Sequence, residues 1–212
     1  MQHLRRADDQ RIQKALADTT PMPSPRMLHP LVPADYLNII SRAVFSAGLS
    51  WAFVDGKWDG FEDAFEGFDP AKVSAYDDAA IDRLTADPRL YASRKKMAAT
   101  VENARTLVAI EREFGSIRKW LDSFKTYADA TRDVSKRFKY LSKTFGAYYF
   151  LYISGARTPD FPTFEQWSKQ TGEAHPRMRE LVASNEGRDV GGPRTKKAQP
   201  SRRKPSSRSG AH

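Results

Sequence analysis

Through the middle of this chain apolar side chains recur every three or four positions rather than every second one, the spacing of helices with one buried face. From Asp35 onward, Leu37, Ile40, Val44 and Ala47 keep that rhythm, with Asp35 placed to cap the helix and Gly48 to stop it. Trp58, Phe61 and Phe65 predict a second helix over 57–65. Asp69 followed by Pro70 predicts a short helix that starts at its proline. Asp77, with Ile81 and Leu84 behind it, predicts another that ends before Pro88. The longest helix is expected over 93–113, with Met97, Val101, Ala104, Val108 and Glu111 along one side, Leu107 and Ile110 beside them, and Gly115 past its end. Further helices fit 117–124, 129–141, 144–154 with Gly155 as terminator, and 164–170. The one stretch that reads as a strand by composition, YYFLYIS at 148–154, is taken as a buried helix from its context. The predicted fold class is all-α.

The ends differ from the middle. Residues 1–34 form a lead-in, charged to about Ala17 and then broken by five prolines within 19–33, which forbid a regular helix. Residues 35–186 form the helical domain, and 187–212 a tail rich in Gly, Pro, Ser, Lys and Arg whose only sizeable apolar residue is Val190. Such a segment buries too little surface to offset the entropy of ordering, so it is expected to be disordered. It carries eight basic residues and one acid, Asp189, so about +7 of the net charge of +9 resides there. Its two readings are an electrostatic arm that neutralises nucleic-acid phosphates and a merely solubilising terminus.

With 212 residues, 40% of them hydrophobic and 29% charged, the chain has room for one domain with a real core. The longest apolar run, 145–156, falls well short of the ~20 residues that span a bilayer. No apolar segment follows the charges at the N-terminus, so a cytoplasmic location is expected. The absence of cysteine removes disulfides, thiolate nucleophiles and cysteine-ligated zinc. His3, His29, His175 and His212 are scattered without metal-ligand spacing, and no structural metal is expected.

Three segments carry a resemblance. AGLSW at 47–51, FDPAKV at 68–73 and RKKMAATVENAR at 94–105 stand in an order and spacing similar to those of the 3-methyladenine DNA glycosylase I family. The likeness runs over about 36–155. It implies a helix-hairpin-helix glycosylase-like domain acting in base-excision repair. Its partner would be double-stranded DNA with alkylated bases, most of all 3-methyladenine, removed by base flipping and hydrolysis of the N-glycosidic bond without a cofactor. A monomer is expected. Members of that family typically join their chain ends through a Cys2His2 zinc site, which this cysteine-free chain lacks. They also build one pocket wall from a Tyr-His-Asp-(Asn/Glu)-Glu-Trp-Gly segment that nothing in 1–35 matches.

Extruding a base costs a few kcal/mol of unstacking, offset by stacking on aromatic or apolar side chains. By the resemblance Trp51 is the ring that packs on the flipped base, where a cationic N3-alkylated adenine gains a further ~0.5 to 2 kcal/mol of cation-π attraction. Read on its own, Trp51 is a core residue after a tight turn. The family glutamate that accepts hydrogen bonds from the adenine edge lies eight residues earlier, at Ala43 here, which has no acceptor. Arg42 beside it has the wrong sign for a cationic base. Asp35 and Asp55 are nearby carboxylates in sequence, each also readable as a cap or turn residue. Three functions stay open: an N-glycosylase of altered lesion preference, because alkylated adenine is already a good leaving group, a non-catalytic DNA-binding paralogue that recognises distorted or damaged duplex, and a helical protein whose pocket serves another small molecule.

A grip on the DNA backbone is implied at the second hairpin, where Lys136, Arg137, Phe138, Lys139, Tyr140 and Leu141 follow the family pattern and Ser142 replaces its glycine. Lys139, Ser142 and Lys143 are the candidate phosphate contacts, unless this is an ordinary solvated helix end. Arg94, Lys95 and Lys96 open the long helix, where its dipole disfavours cations. This suggests an external anion at Arg94 and Lys96, such as a DNA phosphate, or plain surface charge.

Overall fold

The computed structural model describes residues 30–47, 49, 51–142 and 145–159, with the side chains of Trp51, Ala52 and Phe145 outside that description. The helix expected at 164–170, the tail, the lead-in to residue 29, Gly48, Lys143 and all four histidines lie outside the described residues. Within them the chain is all-α: α1 (Pro33–Ser46), α2 (Trp51–Gly56), α3 (Trp58–Ala64), α4 (Pro70–Val73), α5 (Asp78–Ala86), α6 (Arg94–Phe114), α7 (Ile117–Asp122), α8 (Tyr127–Arg137) and α9 (Phe145–Ile153).

Several helix ends form as expected. Asp69 Oδ1 accepts from Ala71 N–H with Pro70 in the first turn, and Asp77 Oδ1 accepts from Ala80 N–H. Gly115 closes α6 in the left-handed region at φ 79°. Others depart. Helix α1 starts at Pro33, because proline fits the first helical position. Asp35 therefore lies in the first turn rather than at the cap, and its carboxylate reaches back to Val32 N–H at 2.8 Å. Helix α8 begins at Tyr127, two residues before its expected start at 129, with Thr126 as its cap. Thr126 Oγ1 accepts from Asp129 N–H, and the Asp129 carboxylate accepts from the Thr126 hydroxyl. Helix α8 stops at Arg137 instead of running to 141, since Phe138 turns extended. Helix α2 had no expected counterpart, because the sequence there reads as a turn.

Helix α6 is the axis of the fold, packed against α1, α4, α5 and α7. Its buried arc holds Met97, Thr100, Val101, Asn103, Ala104, Leu107 and Ile110. The expected Val108 and Glu111 are only half-buried, because the Leu107 and Ile110 side faces the core in the second half of the helix. Helix α9 lies against α1 and α8, and Tyr148, Tyr149, Phe150 and Tyr152 on it are all buried. The strand-like composition of this stretch yields to a helix enclosed by other helices.

Between α3 and α4 the chain passes through Glu66, Gly67 and Phe68, all left-handed at φ 50°, 68° and 59°. For the two non-glycine residues that conformation costs roughly 1–2 kcal/mol each. A pile of rings compensates. Phe68 is fully buried and stacks on Trp58 and on Phe65, each at 5.3 Å, while Phe61 lies 5.4 Å from Trp58 and 4.4 Å from Phe45. This aromatic wedge packs α3 and the turn into α4 against Phe45 near the end of α1.

Candidate base pocket and backbone-binding hairpin

Trp51 opens α2. Its backbone is helical, while its side chain lies outside the described residues, so the stacking role rests on the AGLSW resemblance. Ala43 lies on the inner face of α1 and is 3% exposed within the core. No acceptor can reach a base from that position.

One residue earlier the polar side of α1 begins. Arg42 donates through Nη1 to Asp55 Oδ1 at 2.9 Å and through Nε to Asn38 Oδ1 at 3.2 Å, and its guanidinium lies 4.3 Å over the Trp58 ring. Asn38 in turn donates to Glu62 Oε1 at 3.2 Å. The chain Glu62, Asn38, Arg42, Asp55 thus ties α1 to α2 and α3. The Asp55 side chain is 33% exposed against 14% for Arg42, so the carboxylate stands nearer the solvent. Asp35, the other carboxylate considered from the sequence, is occupied at the start of α1, where burial raises its pKa above the usual range.

At the other end of α1, Lys96 reaches across from α6. Its ammonium donates to Phe45 O at 3.0 Å and Ala47 O at 2.6 Å, satisfying carbonyls that the helix end leaves open. Partial burial lowers its pKa from the ordinary lysine value. The anion expected at Lys96 is therefore answered inside the chain by the negative end of a helix. Arg94 is engaged in the same way, through Asp82 at 2.7 Å and Asp78 at 2.8 Å on α5. Lys95 is exposed beside them. Lys96→Ala should lower stability by about 1–2 kcal/mol in urea unfolding, the usual worth of a charged hydrogen bond at a helix C-terminus.

The hairpin between α8 and α9 is held from below. Asn103, fully buried on α6, accepts from Lys139 N–H at 2.7 Å through Oδ1 and donates to Lys139 O at 3.1 Å through Nδ2. These two bonds fix the main chain of Lys139 while its side chain stays exposed. Among the described residues of the turn, the left-handed one is Tyr140 at φ 57°, 54% exposed. Ser142, where the family pattern has glycine, accepts from Gly146 N–H through Oγ at 2.7 Å and from Ala147 N–H through its carbonyl at 2.9 Å. Serine thus caps the start of α9. Leu141 tucks under the turn so closely that a Cβ on Gly146 would fall 2.8 Å from Leu141 Cδ1. Lys139 and Ser142 are brought together at this turn, and Lys143 lies outside the described residues. Lys136 is exposed, whereas Arg137 is bound to Asp133 at 2.8 Å and Glu113 at 3.0 Å.

Sequence reasoning named Asn103 only as part of a motif and assigned it no role. A signal was present: an amide on the apolar stripe between Val101 and Ala104 must be buried, and a buried amide must be paired.

A family model described as methyladenine glycosylase matches residues 35–147. The chain belongs to the methyladenine glycosylase family. The match takes in α1, the Arg42 and Asp55 pair, the long helix and the hairpin. Among curated members, the DNA-3-methyladenine glycosylase of Haemophilus influenzae is 32% identical over 88 residues, 42% of this chain and 48% of that protein. The DNA-3-methyladenine glycosylase 1 of Escherichia coli is 37% identical over 65 residues, 31% of this chain and 35% of that one. The chain therefore spans about half the length of the first of these relatives and about a third of the second. Among solved structures of the methyladenine glycosylase family, 3-methyladenine DNA glycosylase I from Staphylococcus aureus superposes with TM-score 0.52 and 26% identity, covering 72% of this chain and 90% of that one. A variant of 3-methyladenine DNA glycosylase I solved in complex with 3-methyladenine gives TM-score 0.52 and 25% identity, covering 68% and 88%. Among the described residues no helix is long and apolar enough to cross a membrane.

Proposed function

We propose that the chain is a DNA N-glycosylase of base-excision repair that removes alkylated bases, foremost 3-methyladenine, from double-stranded DNA. The observation that carries this reading is the family match over 35–147, which holds together the helix that begins at Trp51 and the hairpin at Lys139 on one packed frame. The extruded base stacks on Trp51. In the reaction the bond between C1′ of deoxyribose and N9 of the base breaks, its electron pair neutralising the positive charge of an N3-alkylated adenine. Water adds to C1′ and gives up a proton, leaving an abasic site and the free base. Because the leaving base is already activated, binding and electrostatics carry most of the acceleration.

The backbone grip falls to Lys139, Ser142 and Lys143. Arg94 and Lys96 serve it only indirectly, by fixing α6 to α5 and to the end of α1. A second reading, a paralogue that binds damaged or distorted duplex without cleaving it, is favoured by one observation, the buried Ala43 at the family's glutamate position.

Release of free 3-methyladenine from methylated duplex separates the two. The enzyme reading expects release well above the spontaneous rate, and its loss in Trp51→Ala. Tight lesion binding without release would establish the paralogue.

A further inference from the structure

We propose that Tyr140 is a DNA contact of the hairpin in its own right, its ring laid against a deoxyribose and its hydroxyl donating to a backbone phosphate oxygen. The inference rests on the reading of this chain as a DNA-binding protein for its ligand and on the geometry of the turn for its residue. Of residues 138–141, Phe138 and Leu141 turn inward, at 3% and 6% exposure. Lys139 and Tyr140 between them turn out, and Tyr140 is 54% exposed. Among the described residues its phenol has no hydrogen-bond or ring partner.

The backbone beneath the ring is held in a conformation that tyrosine resists. Tyr140 sits at φ 57°, the left-handed region where a Cβ crowds the following carbonyl and glycine is the usual occupant. Such strain persists only where the surroundings fix the chain. On one side Asn103 grips Lys139 N–H at 2.7 Å and Lys139 O at 3.1 Å. On the other, Leu141 packs against Gly146, and Ser142 accepts from Gly146 N–H through its hydroxyl and from Ala147 N–H through its carbonyl. The fold thus keeps a large amphipathic side chain exposed at a position that glycine would fill without strain. The neighbouring charges select its partner. Lys136 and Lys139 are exposed on the same segment, while Asp133 and Glu113 are taken up by Arg137 at 2.8 Å and 3.0 Å. Exposed lysines flanking a phenol suit a polyanion that alternates phosphates with apolar sugar faces, which is a nucleic-acid backbone.

The test uses the full chain and undamaged duplex DNA, with fluorescence anisotropy across a salt series at a temperature where thermal melts show every variant folded. Tyr140→Gly suits the left-handed turn and removes the ring, and Tyr140→Phe keeps the ring and removes the hydroxyl. The expected result is binding weaker by about fivefold in Tyr140→Gly, with the salt slope of the native chain, and recovery to within about twofold in Tyr140→Phe. An uncharged contact adds affinity without releasing counterions, so its loss leaves the slope alone. A ring that merely shapes the hairpin would on removal misplace Lys139 too, and the slope would fall by about one phosphate contact. That fall overturns the inference. So does a Tyr140→Gly chain that binds like the native one, or a Tyr140→Phe chain that binds no better than Tyr140→Gly. In each of these cases the native chain still binds duplex and the DNA reading stands. A native chain that binds no duplex overturns that reading and the inference together. Tyr140-dependent binding by a chain that releases no 3-methyladenine supports the inference and overturns the enzyme reading alone.

Discussion

Trp58→Ala is expected to destabilise the domain by about 3–5 kcal/mol, the usual cost of emptying a buried tryptophan site, and to lose more than ring burial. The indole is 1% exposed and stacked between Phe61 and Phe68. Its loss withdraws the packing that holds Phe68 in its left-handed conformation, so the turn into α4 is free to relax. It also takes the ring from beneath the Arg42 guanidinium, 4.3 Å away, and so loosens the partner of Asp55. Urea unfolding should show the drop in midpoint. Trp58→Phe, which keeps an aromatic face, should recover most of the loss.

The second large effect is expected at Asn103. Replacing it with leucine removes both hydrogen bonds to the Lys139 main chain and places an apolar side chain beneath that polar backbone. The penalty should be about 2–4 kcal/mol by the cost of unpaired buried groups. Asn103→Asp is the sharper probe. It keeps the acceptor for Lys139 N–H but sets a carboxylate oxygen against Lys139 O, where the amide now donates at 3.1 Å. Because Asn103 hydrogen-bonds the main chain of the hairpin, its loss should weaken binding of undamaged duplex about tenfold by misplacing Lys139 and Ser142. Fluorescence anisotropy across a salt series is the check. Lys139→Ala alone should reduce the salt slope by about one phosphate contact at nearly native stability, whereas Asn103→Leu should lower stability as well.

Much of the frame was legible in the chain, for reasons that are local. The helices capped by Asp69 and Asp77, the long helix closed by Gly115 and the helix ended at Gly155 all follow from side chains that satisfy or terminate their own backbone within a few residues. Where two local signals competed, the sequence pointed to the wrong one. Pro33 displaced Asp35 as the start of α1, and Thr126 caps α8 ahead of its expected start at 129; in both helices an acidic residue of the first turn reaches back to the cap. The site was less legible than the frame. AGLSW and the hairpin pattern mark candidate segments, but the partners of their neighbouring charged and polar groups come from elsewhere in the chain: Lys96 to Phe45 and Ala47, Arg94 to Asp78 and Asp82, Asn103 to Lys139.

The sequence alone determined that this is a helical chain with alanine at position 43, because helix periodicity, caps and residue identity are written locally, and its resemblance to the glycosylase family was carried by three short motifs. Only the tertiary structure decided what its charged and polar side chains do. Whether a lysine meets a helix end or a phosphate, and whether an aspartate is paired and on which side, depends on which helices pack together. Those contacts arise between residues 12 to 51 positions apart, where no sequence spacing can encode a distance of 3 Å.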